Sequence, residues 1–268
     1  MSSRGGIVSR LKKRKIGEVI AAGKRMDGRA LDEYREITVK TGVMEKSEGS
    51  AEVRIGESWV IAGVKVGVGF PFEDTPDRGV LMCNAEFTPV AHPTFEPGPP
   101  REASIELARV VDRGLRSAKI LDFKKLSLID GKKVYMVHVD LYVLNYDGNL
   151  IDTSALAAIA ALKTAKRPVY KVTEGEIELT KRKQALKVLK EPVAVTMVKI
   201  GDSLIVDPTA DEEEVKDLRL TITLDEDGNI CAVQKSGPAG LTQEEIKKAV
   251  AIASERAAEN RKLISGTG

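Results

Sequence analysis

The chain has 268 residues, with 42 Lys and Arg against 40 Asp and Glu, 42% hydrophobic residues and only 4% aromatic ones. That length fits one large or two ordinary domains, and the shortage of aromatics leaves Val, Ile, Leu and Ala to build the core. No apolar run is long enough to span a bilayer, no secretory signal is visible, and no Cys/His cluster has zinc-ligand spacing. Cys83 and Cys231 lie far apart in apolar runs and read as buried free thiols of a cytoplasmic protein.

In chain order, residues 1–25 carry Arg4, Arg10, Lys12, Lys13, Arg14, Lys15, Lys24 and Arg25 against Glu18 alone. They read as a basic N-terminal helix with an apolar stripe of Ile7, Leu11, Val19 and Ile20, suited to RNA or to a docking partner. Strands follow at Glu36–Lys40, Ala51–Ile55, Ser58–Val66 and Val80–Phe87, with a hairpin turn at Gly56-Glu57. The loop Thr88–Pro100 holds five prolines and excludes helix and interior strand. A helix then runs from it to about Asp122. At about 100° per residue, Arg109, Arg113 and Arg116 fall within roughly 60° of one another, opposite Leu107, Val110, Val111, Leu115, Ala118 and Leu121. Guanidinium forks at that spacing suit phosphates. The competing reading is a solvated face on which Glu102, Glu106 and Asp112 neutralise the arginines at i,i+3 and i,i+4. Ile105 and Ile120, on the polar side, mark an interface.

Lys133–Leu144 alternates as a strand, and Asp147-Gly148 turns the chain into a helix capped by Asp152 or Thr153. That helix is apolar all round, so it belongs between two layers. Residues from about Lys163 to Glu191 read as a charged connector with a short hairpin around Gly175. Val193–Ile200, Ser203–Val206, Leu218–Leu224 and Asn229–Gln234 are strands, the last two flanking the turn Asp225–Gly228. The capping box Thr242/Glu245 opens a final helix with Ile246, Ala249, Val250, Ala253 and Ala257 inward. The whole is α+β, in two units of related plan. Its expected parts are a basic helix (1–25), a first domain (26–166), a connector (167–190) and a second domain (191–268). Asp207 and Glu213, six residues apart, form a candidate acidic pair. The alternative is a solvated run, Asp211 to Glu214, at a helix start. Phe95 reads as a loop anchor, and Trp59 as core or interface.

Met26-Asp27-Gly28-Arg29, Tyr34-Arg35-Glu36-Ile37, Gly49-Ser50-Ala51, the proline loop, Ile105-Glu106-Leu107-Ala108-Arg109 and the Asp147-Gly148 turn follow one another in a specific order. From about residue 26 to 260 this succession resembles the RNase PH family, and within it the non-catalytic type of ring subunit in archaeal exosomes. The resemblance implies two RNase PH-type domains, the first like ribosomal protein S5 domain 2 and the second a smaller βα domain. It implies three heterodimers with a catalytic RNase PH-like subunit in a hexameric ring, joined by RNA-binding cap subunits. Single-stranded RNA threads such a ring and is degraded from its 3′ end by phosphate, giving nucleoside diphosphates. Active members carry arginines just before the Ile105–Arg109 segment, where this chain has Glu102, Ala103 and Ser104. They carry Gly-Ser/Thr-Arg after the Asp turn, where this chain has Asn149-Leu150-Ile151. The resemblance therefore implies no catalytic residue, no cofactor and no metal here, with Arg109, Arg113 and Arg116 contacting RNA phosphates. The alternatives are a phosphorolytic 3′-5′ exoribonuclease using Asp207 and Glu213, and a purely structural subunit.

Overall fold

The computed structural model describes residues 3–173 and 175–266, with side chains from Leu11 onward. After helix α1 (Ser3–Ala21) come strands β1 (Ile37–Thr41), β2 (Gly49–Ile55), β3 (Ser58–Gly69) and β4 (Val80–Phe87), then helix α2 (Glu102–Ser117). A single 3-10 turn leads to β5 (Ser127–Ile129) and β6 (Lys133–Asn145), followed by helix α3 (Leu150–Thr164). The first sheet has the order β1-β2-β3-β6-β4, with β5 added to β6. Neighbours are antiparallel except β4 and β6, which run parallel. Period-2 alternation puts Val137, Val139, Leu141 and Val143 of β6 on the buried face, as the sequence indicates.

A hairpin of β7 (Lys166–Thr173) and β8 (Glu176–Ala185) leads to β9 (Val193–Ile200), β10 (Ser203–Val206), the short helix α4 (Ala210–Val215), β11 (Leu218–Leu224), β12 (Ile230–Ser236) and helix α5 (Gln243–Ser265). The second sheet is antiparallel, in the order β10-β9-β11-β12. Helix α3 lies between the sheets, and every residue from Leu150 to Leu162 is buried. Alanines and a glycine permit this: a Cβ on Gly49 would stand 2.4 Å from the carbonyl oxygen of Ala161.

Several expectations are corrected. Helix α2 stops at Ser117, not near Asp122, because Lys119 adopts φ 55°. The Lys119 N–H then bonds Arg116 O and the Ile120 N–H bonds Leu115 O, the paired closure of a Schellman motif. Ile120 is thereby folded into the core, whereas Ile105 stays exposed. Asn149, at φ 49°, caps α3 in place of Asp152 or Thr153. The hairpin around Gly175 is long, with strands of 8 and 10 residues. On α5 the capping box forms, but Ile246 is exposed and the buried stripe continues through Ala257 to Asn260 and Ile264.

The stripe of α1 is also corrected. Leu11 is 64% exposed, while Ile16 and Ile20 pack with Val198, Ile200, Ile205 and Val215. The side chains of Ile7, Arg4 and Arg10 lie outside the described residues. Three α1 cations are spent within the chain: Lys12 pairs with Asp211 and Glu214 (2.6 Å each), Lys13 with Asp217 (2.8 Å) and Arg14 with Glu18 (2.8 Å).

Candidate nucleic-acid interface and a filled helix terminus

Helix α2 presents Arg109, Arg113 and Arg116 together on its exposed face. Among the described residues the Arg109 side chain has no hydrogen bond or ion pair. Arg113 Nη1 donates to Gln234 Oε1 at 2.7 Å. Arg116 Nε donates to Asp112 Oδ2 at 2.7 Å, and its Nη2 donates to the Leu81 carbonyl. Glu106 does not neutralise the stripe, because it takes Arg219 Nη2 at 2.6 Å instead. One guanidinium is thus free, one is held only by a neutral amide, and one is ion-paired.

The start of α3 is a helix N-terminus, where backbone N–H groups favour an anion. Here the protein's own carboxylates gather around its cap residue, Asn149. The Asn149 N–H donates to Glu213 Oε1 at 3.1 Å, and Tyr146 Oη donates to Glu213 Oε2 at 2.9 Å. Fully buried Asp207 accepts five hydrogen bonds: from Arg29 Nη1 (2.9 Å), Arg35 N and Nε (2.9 Å each), Arg35 Nη2 (2.8 Å) and Asn149 Nδ2 (2.8 Å). Next to it, buried Glu212 accepts from Arg25 Nε at 2.9 Å and Nη2 at 2.5 Å. Arg25 also donates to the carbonyls of Val206 and Asp207 at 2.8 Å each. The solvated acidic run is therefore corrected: only Asp211 and Glu214 are exposed, and Asp207, Glu212 and Glu213 face inward.

Burial opposes ionisation of Asp207, but the hydrogen bonds and charge of Arg35 outweigh it and hold the carboxyl below the usual range. A saturated, ionised carboxylate has no lone pair left for a metal or a proton in transit. Leu150 and Ile151, buried beside it, add neither hydroxyl nor charge. No group of three or more His, Cys, Asp or Glu among the described residues is disposed to hold a metal ion.

Asp152 stands at the third position of α3 and is not the cap that the sequence indicates. It accepts from Tyr34 Oη (2.7 Å), Thr196 N (2.9 Å), Thr196 Oγ1 (2.7 Å) and Asn149 Nδ2 (2.9 Å). Burial nevertheless pushes its pKa from 3.8 up to about 6. The native state then binds this proton more tightly than the unfolded chain does. Its contribution to stability is complete below about pH 4 and is lost as the pH rises through about 6, an effect on the order of 3 kcal/mol. Asp207 acts in the opposite sense, contributing above its unfolded pKa and losing that contribution as the pH falls. We expect Asp152→Asn to remove the downward slope between pH 4 and 6, read as the difference in urea midpoints from the parent protein. Parallel pH profiles would contradict it.

The lock of Arg25, Arg29, Tyr34 and Arg35 was not read as a site from sequence. Its signal is the density of charged side chains in Met26–Glu36. Phe95 anchors its loop, with ring centroids 4.8 Å from Phe87 and 5.7 Å from Tyr146. Trp59 is half-buried under the Arg54 guanidinium, 4.0 Å from its ring centroid. Both cysteines are free but only half-buried, less than the sequence suggests. An open cleft of about 560 Å³ between the proline loop and β4 is lined by Glu86, Asp140 and the Glu96–Arg101 ion pair. Among the described residues no helix is long and apolar enough to cross a membrane.

Two α+β domains, an exposed arginine face and a helix terminus lined with carboxylates define a two-domain protein with a helix between its sheets. The profile of the 3′ exoribonuclease family matches in both parts, domain 1 over residues 33–168 and domain 2 over 190–256. The chain belongs to this family, the RNase PH family. It is 49% identical over 260 residues to the exosome complex component Rrp42 of Thermococcus gammatolerans, covering 96% of this chain and 95% of that protein. It is 43% identical over 257 residues to Rrp42 of Methanothermobacter thermautotrophicus, with 96% and 95% covered. Its fold is similar to a chain of the Archaeoglobus fulgidus exosome with RNA bound to the active site, at a TM-score of 0.88, 43% identity and coverage of 96% and 98%. Rice Rrp46 shares the fold at a TM-score of 0.70 and 17% identity, covering 91% of this chain and 99% of that one.

Proposed function

We propose that this chain is a non-catalytic ring subunit of an exosome, acting in the cytoplasm. It alternates with a catalytic RNase PH-like subunit as three heterodimers in a hexameric ring, with RNA-binding cap subunits on it. It shapes the partner's active site during 3′-5′ phosphorolysis and supplies Arg109, Arg113 and Arg116 to the phosphates of single-stranded RNA. The observation that carries the absence of catalysis is the filled terminus of α3. Phosphate brought to that terminus meets two carboxylates, Glu213 on the Asn149 N–H and Asp207 on the Asn149 side chain, whose charge opposes its own. The identity to Rrp42 proteins over nearly the whole chain supports the assembly. The free guanidinium of Arg109 supports the RNA role: a phosphate contact there carries no base information and weakens with salt.

The test is phosphate-dependent decay of a 5′-labelled single-stranded RNA, with this chain alone and then mixed with its catalytic partner. No decay alone and release of diphosphates from the mixture are expected. Phosphorolysis by the isolated chain would overturn the non-catalytic assignment. Within the assembled ring, Arg109→Glu with Arg113→Glu should slow decay at subsaturating RNA roughly tenfold and flatten the salt dependence by about 1–2. Loss of the ring itself, or decay at the parent rate, would favour a structural role for the stripe.

A further inference from the structure

The β7–β8 hairpin carries a strongly charged surface that the proposed ring and RNA contacts do not involve. Its charge is segregated. The described tip carries Glu176 and Glu178, with Lys171 paired in register to Glu178. The base carries Lys166, Lys181, Arg182, Lys183 and, just beyond the strand, Lys187, all exposed. No acidic residue interrupts the run from Lys181 to Lys187. Among the described residues, none of these five side chains has an ion pair or a hydrogen bond. That contrasts with α1, whose Lys12 and Lys13 are both neutralised.

The backbone gathers these cations. The register pairs Lys166 with Ala185 and Pro168 with Lys183, which puts Lys166 and Lys183 on one face, since paired residues share a face. It then shifts so that Thr180, Lys181 and Arg182 stand opposite Val169 alone, a bulge that crowds charge into a short length. The base is also tied to the first domain. Arg167 stacks 4.6 Å over Tyr135, whose Oη donates to the Pro168 carbonyl at 2.8 Å. The bridge between Leu121 and Val188 fixes the far side beside Lys187.

We propose that the base of this hairpin is a second RNA-binding surface, on which Lys166, Lys181, Arg182, Lys183 and Lys187 hold the phosphates of a single strand without reading its bases. Lys183 in the regular ladder and Lys181 and Arg182 in the adjoining bulge put three cations on three successive residues, a density that suits the closely spaced phosphates of a single strand. An acidic protein fits less well, because a protein interface is anchored by apolar side chains at its centre, whereas the exposed leucines here, Leu179 and Leu189, flank the run from Lys181 to Lys187 and do not stand within it. The tyrosines nearest to it, Tyr135 and Tyr170, pack against each other at 5.9 Å. The choice of RNA as the polyanion rests on the exosome reading; the existence of the surface does not.

The test is equilibrium binding of an unstructured poly(U) RNA to the full chain over a range of salt. Lys181→Gln/Arg182→Gln/Lys183→Gln is compared with the parent and with Arg109→Gln/Arg113→Gln. The hairpin variant should flatten the slope of log K against log salt by about 2 and weaken binding at least tenfold at about 0.1 M salt. An unchanged slope overturns the proposal and leaves the exosome reading intact. A flattened slope together with no decay by the mixture with the catalytic partner overturns the exosome reading and leaves this surface standing. Polyglutamate that displaces the RNA at equal charge concentration overturns the assignment to RNA. Should the variant not fold, acetylation of the parent protein decides: RNA should protect Lys181 and Lys183 but not Lys171 at the tip, and equal labelling with and without RNA overturns the proposal.

Discussion

Replacing Asp207 by Ala is expected to destabilise the protein by about 3–5 kcal/mol. The carboxylate has no exposed surface, and the side chains of the two arginines on it, Arg29 and Arg35, are each 10% exposed. Removing the anion leaves both guanidiniums nearly buried, and Arg29 keeps only Asp27 and Arg35 only Asp147 as ionic partners. Asp207 also sits at φ 46°, where Ala is strained and Gly is not. Asp207→Gly therefore isolates the electrostatic part, and the further loss in Asp207→Ala measures the strain. Urea unfolding with the midpoint and slope followed separately is the readout. A catalytic carboxylate gives the reverse pattern, since residues held for chemistry commonly cost stability. An Asp207→Gly protein within about 0.5 kcal/mol of the parent would show that the lock is decorative and would reopen the phosphorolytic alternative.

What could be read in the sequence was local. The alternation in Lys133–Leu144, the hairpin turns at Gly56-Glu57 and Asp225–Gly228, and the capping box at Thr242 and Glu245 each depend on residues a few positions apart. The all-round apolarity of the helix read over Asp152–Leu162 pointed to the sandwiched position, because such a helix has no other stable place. Distant partners decided the rest. Nothing in Asp211–Glu214 says that Glu212 turns inward, because the cause is Arg25, 187 residues away. Glu106 lies three residues before Arg109 and was a natural neutraliser, yet it is taken by Arg219 from the second domain, 113 residues on. Chemistry of single residues hid the helix ends: Lys119 and Asn149 adopt the left-handed backbone usually signalled by glycine. The arginine face was legible as a pattern, but which of its members is free was not.

The same distant contacts make Gly148→Ala the most damaging small change we foresee. Gly148 has φ +85°, and a Cβ there would lie 2.3 Å from Pro208 O, 2.4 Å from Thr209 C and 2.6 Å from Ala210 N. All three are backbone atoms of the second domain, so no rotamer change relieves the overlap. Its own carbonyl is held by Ser58 Oγ at 2.5 Å, which prevents the turn from backing away. Strain and overlap together should cost about 3–5 kcal/mol. Gly131→Ala is the control: φ is +74° there, but nothing lies within 4 Å of the added methyl, so only the strain of about 1–2 kcal/mol remains. Equal losses in the two variants would mean that the approach of the Gly148 turn to Pro208–Ala210 is loose. The expected excess for Gly148→Ala has a structural consequence that can be measured directly. Moving the turn separates Asn149 from both Glu213 and Asp207, so the Asn149 amide should lose its protection from hydrogen exchange before the core strands lose theirs. If the domains part while each stays folded, urea unfolding becomes two transitions instead of one. Together, early exchange and split transitions would identify this turn as the hinge on which the closure of the α3 terminus depends.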